Sequence, residues 1–139
     1  MHTLSGSCHC GQLRVALRAT LAPEAMPVRV CQCSFCRRHG SLSTADPAGD
    51  VVLTLGEPAA TSRYTFGLRT AEFLVCARCG VYVAAVMPDG DAHLAVVNVL
   101  ALDDRACFTA APVWMDYDGE DVAARAARRR ARWMRATLR

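Results

Sequence analysis

The sequence contains no lysine. All 16 basic residues among its 139 are arginine, set against 13 acidic residues for a net charge of +3. So small a surplus argues against a general nucleic-acid binder. Aromatic residues make up only 6% of the chain, so the core must lean on Val, Leu and Ala. Long apolar runs are missing too. "HLAVVNVLAL" falls far short of the 18 or more residues a membrane-spanning helix needs. The opening "MHTLSG" has neither a basic nor an apolar signal region, so no signal peptide is expected. At 53% hydrophobic and 21% charged the composition is not that of a disordered chain. With no repeat and no low-complexity linker, one domain over 1–139 is expected, soluble and cytoplasmic.

What the chain does have is cysteine, eight residues of it. In a reducing compartment these point to metal ligands or catalytic thiols rather than disulfides. Seven fall into three clusters: Cys8-x-Cys10, Cys31-x-Cys33-x-x-Cys36 and Cys76-x-x-Cys79. A CxC pair closes poorly on itself as a disulfide, because the ring would be small. "CARCG" (76–80) has the form of a zinc knuckle, with Gly80 letting the backbone fold over a metal. Zinc occupies either closed sites with four protein ligands or open sites with three ligands and a free position. Seven cysteines divide into one of each. The triple cannot join Cys76 and Cys79 whole, because five ligands exceed a tetrahedron. Spacing alone leaves open which pair completes that site.

Around the clusters, "QLRVALRA" (12–19) alternates with the period of a half-buried strand. "LAPEAMP" (21–27) reads as a loop, and "VRV" (28–30) as a short strand leading into Cys31. "SFCRRHG" (34–40) suits one helical turn stopped by Gly40. Strands are expected at "VVLTL" (51–55), "SRYTF" (62–66) and "AEFLVC" (71–76). "VYVAAVM" (81–87) and "HLAVVNVL" (93–100) should form a hairpin around "PDGDA". Residues 120–138 carry no breaker and are rich in Ala and Arg, with acids near the start and Arg at the end. They predict one long C-terminal helix. On it Val122, Ala126, Trp133 and Met134 can share a face that Arg130 interrupts. The fold class is therefore mainly β, mostly antiparallel, with a core over about 4–118 and the helix over about 120–138.

The run "GSCHCGQLRV", "CQCSFCRRHG", "FLVCARCG" resembles the glutathione-dependent formaldehyde-activating enzyme family, which also includes centromere protein V. The likeness spans roughly Leu4 to Asp103, and "VNVLALDD" and "YDGEDVAARAARRRARW" also look like later family segments. Three spaced clusters together are a specific signal, where any one alone is weak. The resemblance implies a zinc-pinned β-tent of small antiparallel sheets. It implies a structural zinc on Cys8, Cys10, Cys76 and Cys79, and a second, exchangeable zinc on Cys31, Cys33 and Cys36 that can stand empty. The implied activity is carbon–sulfur lyase chemistry, the reversible addition of an aldehyde to a thiol such as glutathione. Gln32 stands where some members carry His between the first two cysteines of the triple.

Open-site chemistry suits the triple: a thiol taking the free position ionises on the metal and can attack a carbonyl. Arg37 and Arg38 follow Cys36 directly and are candidates to hold ligand carboxylates or offset the thiolates. The expected partners are thus a small thiol and an aldehyde, with no nucleic acid and no membrane, and a homodimer is left open. A non-enzymatic zinc-binding module, scaffold or thiol/metal carrier, is the competing reading.

Cys107 is read as structural, His9 as pointing away from the metal, and His39 as a surface residue or one supporting a ligand. Trp114 and Trp133 are read as packing residues. The "ARRRAR" run is read as a solvated helix face packed on an acidic neighbour, or as a dimer contact, before any nucleic-acid role.

Overall fold

The structure, a computed structural model, describes all residues 1–139. The alternating segment near the start forms half of a hairpin, β1 (His2–Ser7) with β2 (Arg14–Ala19). In β2 every second residue, Val15, Leu17 and Ala19, is buried, as the period-2 pattern requires. β3 (Arg29–Cys31) then runs into α1 (Ser34–His39), which Gly40 caps in the left-handed conformation. β4 (Ser43–Thr44), β5 (Asp50–Thr54), β6 (Thr61–Tyr64) and β7 (Glu72–Cys76) follow. β8 (Tyr82–Asp89) and β9 (Ala92–Asn98) make the expected hairpin. β10 (Val113–Met115), α2 (Val122–Arg132) and β11 (Met134–Leu138) complete the chain.

The protein is mainly β, with its longer helix near the C-terminus. The strands join one network in the order β1-β2-β5-β11-β9-β4-β3-β10, while β8 extends from β9 to β7 and β6. Most pairs are antiparallel; β10 with β3 and β11 with β5 are parallel. β8 is covered on both faces, with Tyr82 through Met87 all buried, so it reads as an apolar run rather than an alternation. The core is aliphatic, with Leu13, Leu17, Leu53, Leu74, Val83 and Val97 among its fully buried residues.

The C-terminal segment corrects the expectation of a helix over 120–138. The helix stops at Arg132, Trp133 is extended, and the last residues form β11 between β5 and β9. Helix propensity of Ala, Arg, Met and Leu was outweighed by two strand partners offering ladders on both sides. Met134 and Ala136 turn inward there, Arg135 and Thr137 outward. The shared helical face drawn through Val122 and Met134 therefore does not exist: Val122 is exposed and Met134 lies in the sheet. Trp114 departs as well. It is 68% exposed, whereas Trp133 is buried.

Candidate metal centres

The first CxC sits in the β1–β2 turn and the last CxxC in the β7–β8 turn. The two turns are built alike. The Cys8 N–H donates to the Leu13 carbonyl at 2.8 Å, and the Cys76 N–H donates to the Val81 carbonyl at 3.0 Å, the same offset in both. The residue after each second cysteine is glycine with positive φ, Gly11 at 82° and Gly80 at 80°. That left-handed turn folds successive N–H groups towards the sulfurs; the Leu13 N–H reaches Cys8 Sγ at 3.3 Å. The four Sγ atoms of Cys8, Cys10, Cys76 and Cys79 all lie within 4.8 Å of one another. Cys8–Cys10 is 3.7 Å and Cys10–Cys76 is 3.6 Å. Four thiolates about 2.3 Å from one zinc stand about 3.8 Å apart at the corners of a tetrahedron. The turns thus place four sulfurs at metal-site spacing, and the set could hold one metal ion.

Electrostatics agree with a cation-seeking donor set. Burial opposes ionisation of Cys79, but N–H groups of Cys10 and Val81 and the thiols of Cys76 and Cys8 bring it down to about 6. Cys76 is lowered in the same way, against burial, by the N–H groups of Cys79 and Arg78. Cys10 accepts from the Gln12 backbone, which lowers it. Burial and the neighbouring thiols nevertheless prevail and push it up to about 11.

The second cluster is assembled at one short junction. Cys31 ends β3, Cys33 caps α1, and Cys36 lies buried on its first turn. The Cys36 N–H donates to Cys33 Sγ at 3.3 Å. The three Sγ atoms again lie within 4.8 Å of one another, and no fourth Cys, His, Asp or Glu joins them. Bonds from the Cys31 and Cys36 thiols, with N–H groups of Cys36 and Phe35, hold Cys33 as a thiolate at about 2. Cys31 is raised, first by its bond to Cys33, and Cys36 is pushed far up by Cys31, Cys33 and burial. Without a cation only Cys33 ionises; all three sulfurs at this spacing would ionise only around a cation, and the donor set fits a soft divalent metal.

The triple opens on a cleft of about 500 Å³, lined by Cys31, Cys33, Arg37, Phe66, Phe73, Tyr117 and by Arg125, Arg128 and Arg129 of α2. A smaller chamber of about 70 Å³ adjoins Cys31 and Cys36 and is closed by Tyr82, Phe73, Arg129 and Trp133. The scarce aromatics concentrate here. The Phe35 ring packs against those of Phe73 at 4.7 Å, Tyr82 at 5.0 Å, Phe66 at 5.6 Å and Tyr64 at 5.9 Å. Burial, and then the three cysteines, raise the Tyr82 phenol well above its ordinary value, so it stays neutral.

Each sequence-derived candidate has a definite place. The seven clustered cysteines gather as four and three. Arg37 lines the cleft, whereas the Arg38 guanidinium turns back to the Ser34 carbonyl at 3.0 Å. His9 is exposed. His39 stacks on Phe35 at 4.4 Å and does not line the cleft. Cys107 is half-buried outside both clusters. The "ARRRAR" run (127–132) packs on acids in part: Glu120 holds Arg128, as it does Arg125 before the run, and Asp89 holds Arg130.

The α2 wall of the cleft was missed. Arg125, Arg128 and Arg129 face the cysteines across it, with Arg129 buried. The available signal was helical spacing: Arg125, Ala126 and Arg129 stand three and four residues apart on the inward stripe.

Fold and site together define a β protein carrying one four-thiol and one three-thiol centre. The sequence pattern of the glutathione-dependent formaldehyde-activating enzymes matches residues 3–117, and the chain belongs to that family. Among solved structures it is similar to a structural-genomics target from Rhodobacter sphaeroides, at 28% identity and a TM-score of 0.61, covering 80% of this chain and 99% of the other. No curated protein matches. No helix is long and apolar enough to cross a membrane.

Proposed function

We propose that the protein is a zinc-dependent carbon–sulfur lyase that reversibly adds an aldehyde to a small thiol such as glutathione. The observation that carries this reading is the unequal completeness of the two clusters. Four thiols close one site, whereas three thiols at the mouth of a cleft leave room for a fourth ligand. Family membership supports the reactant class, since the family name couples glutathione with formaldehyde.

Cys8, Cys10, Cys76 and Cys79 would hold the structural ion, and Cys31, Cys33 and Cys36 the reactive one. When bound there, zinc supplies a Lewis-acidic position at which a thiol loses its proton and becomes nucleophilic. The chain's own groups do the rest. Cys33 is kept anionic first by bonds from the Cys31 and Cys36 thiols and then by the N–H groups of Cys36 and Phe35 at the start of α1. Phe66 and Phe73 wall the approach with apolar surface and strengthen charge interactions by limiting water. Arg37 and Arg125, Arg128 and Arg129 of α2 bring positive charge to the cleft, suited to an anionic reactant. The addition itself balances simply. One carbon–sulfur bond forms, the carbonyl π pair becomes a C–O–H group, and the proton released by the thiol ends on that oxygen.

The competing reading, a non-enzymatic zinc module, draws on the shortage of acid–base groups. His39 packs on Phe35 away from the cleft, and of the three carboxylates lining it Glu120 is engaged by two arginines and Asp116 accepts from the Asp118 N–H, which leaves Asp118. One experiment separates the two: adduct formation between glutathione and formaldehyde, followed by NMR exchange with and without the zinc-loaded protein. Acceleration over the spontaneous rate supports the lyase. An unchanged rate with only one zinc bound per chain supports the module.

A further inference from the structure

Three arginines of α2 turn towards the cleft, and they are not equivalent. Arg125 and Arg128 share Glu120, at 3.2 and 2.8 Å. Arg129 is the most buried, at 7% exposure, and no carboxylate pairs with it. Its Nη1 donates to Thr70 Oγ1 at 2.8 Å and lies 3.7 Å from Met87 Sδ. Its guanidinium carbon sits 4.7 Å from the centre of the Trp133 ring. Its Nε is buried with no partner at all. With Nη1 engaged, the edge formed by Nε and Nη2 is the one left free, and that edge takes a carboxylate bidentately.

An unpaired buried cation is costly, and native structures keep one only where something compensates it. Burial, with repulsion from Arg128 and Arg125, lowers Arg129 to about 10, which leaves it charged at neutral pH. It lines both the open cleft and the small chamber that holds Cys31 and Cys36. A neutral reactant such as formaldehyde makes no use of such a group.

We propose that Arg129 is a carboxylate-binding residue of the cleft, so that a reactant meeting Cys31, Cys33 and Cys36 carries its own carboxylate close to the reacting atom. As a statement about substrate it rests on the thiol–aldehyde reading above. The small volume of the chamber calls for a short spacer between the carboxylate and the thiol or carbonyl. The carboxylate sits either on the thiol or on the aldehyde, the latter being a 2-oxo acid of the glyoxylate type.

The test is equilibrium binding to the zinc-loaded protein by calorimetry, with reactants matched in everything but charge. One arm compares 3-mercaptopropionate with 3-mercaptopropionamide; the other compares glyoxylate with glyoxylamide. In at least one arm the carboxylate should bind tenfold or more tightly, and that arm identifies the reactant that carries it. Arg129→Gln should abolish the preference and leave binding of the amides unchanged. A purely structural role would alter the melting temperature but not the ratio within a pair. If Arg129→Gln does not fold, Arg129→Lys keeps the charge and loses the fork; a preference reduced several-fold then supports the proposal. Equal binding within both pairs, or a preference untouched by substitution, overturns it. If the preference is present while adduct formation is not accelerated, the proposed reaction fails and the subsite stands.

Discussion

The two thiol clusters use the same ligand and differ in everything around it. The four-thiol set joins two turns far apart in sequence, buries Cys8 and Cys76 in the main core, and does not line the cleft beside the triple. The three-thiol set comes from one continuous stretch of chain and opens on a cleft of about 500 Å³. Long-range ligands make a metal part of the fold; local ligands beside a cavity leave it free to exchange. On the proposed reading, sequence separation of the ligands and their number act together: four distant thiols would make a staple, and three local ones a reaction site.

The largest effect should come from breaking the staple. Cys76→Ser removes a fully buried ligand that ties β7 to the β1–β2 turn. A structural zinc site contributes on the order of 10 kcal/mol of apparent binding energy, as much as the whole stability of a small domain. The variant should lose its cooperative melting transition in circular dichroism. Cys33→Ser, the matching change in the other cluster, should keep that transition within a few degrees and lower the zinc content by one ion per chain. Equal damage from both substitutions would remove the distinction between the clusters. A mild chelator applied to the wild-type protein should likewise strip one zinc while the fold persists, with thiol-ligand binding lost at the same step.

A smaller effect should follow from Gly80→Ala. No atom lies within 4 Å of the added Cβ, so the change tests backbone conformation alone. At a φ of 80° an L-residue costs about 1–2 kcal/mol, and the melting temperature should fall by several degrees, with slower zinc uptake at the four-thiol site. No change in either would mean that the tight turn is not what presents the sulfurs.

How much of this was readable in advance follows the same division between local and distant signals. The knuckle turns, the helical turn at Ser34–His39 and the β8–β9 hairpin were legible, because glycine positions, cysteine spacing and alternation are short-range signals. β11 was not, since its Ala and Arg favour a helix and only pairing with β5 and β9 makes it a strand. β10 pairs in parallel with β3, a contact no local pattern announces. Arg129 hid inside a run of arginines that reads as solvated; its burial depends on Thr70, Met87 and Trp133, all placed by tertiary structure.

The smallest effect concerns the wall facing the triple. Glu120 accepts from Arg128 at 2.8 Å and from Arg125 at 3.2 Å, and so pins α2 beside the cleft. Those bonds, Arg128 first, lower its pKa below the ordinary 4.5. A carboxylate depressed on folding stabilises the protein above its unfolded value and ceases to do so as pH falls through the folded one. Stability from this pair should therefore be complete at neutral pH and fade only below about pH 4.5, the ordinary glutamate value. Glu120→Gln should cost up to about 1 kcal/mol at pH 7, and its denaturation midpoint should converge with that of the wild type in acid. Because the substitution frees Arg125 and Arg128 without touching a thiol, the zinc content should stay at the wild-type value. A loss of zinc in this variant would show that the two sides of the cleft are built as one unit, and that the three-thiol cluster is less local than its ligands make it.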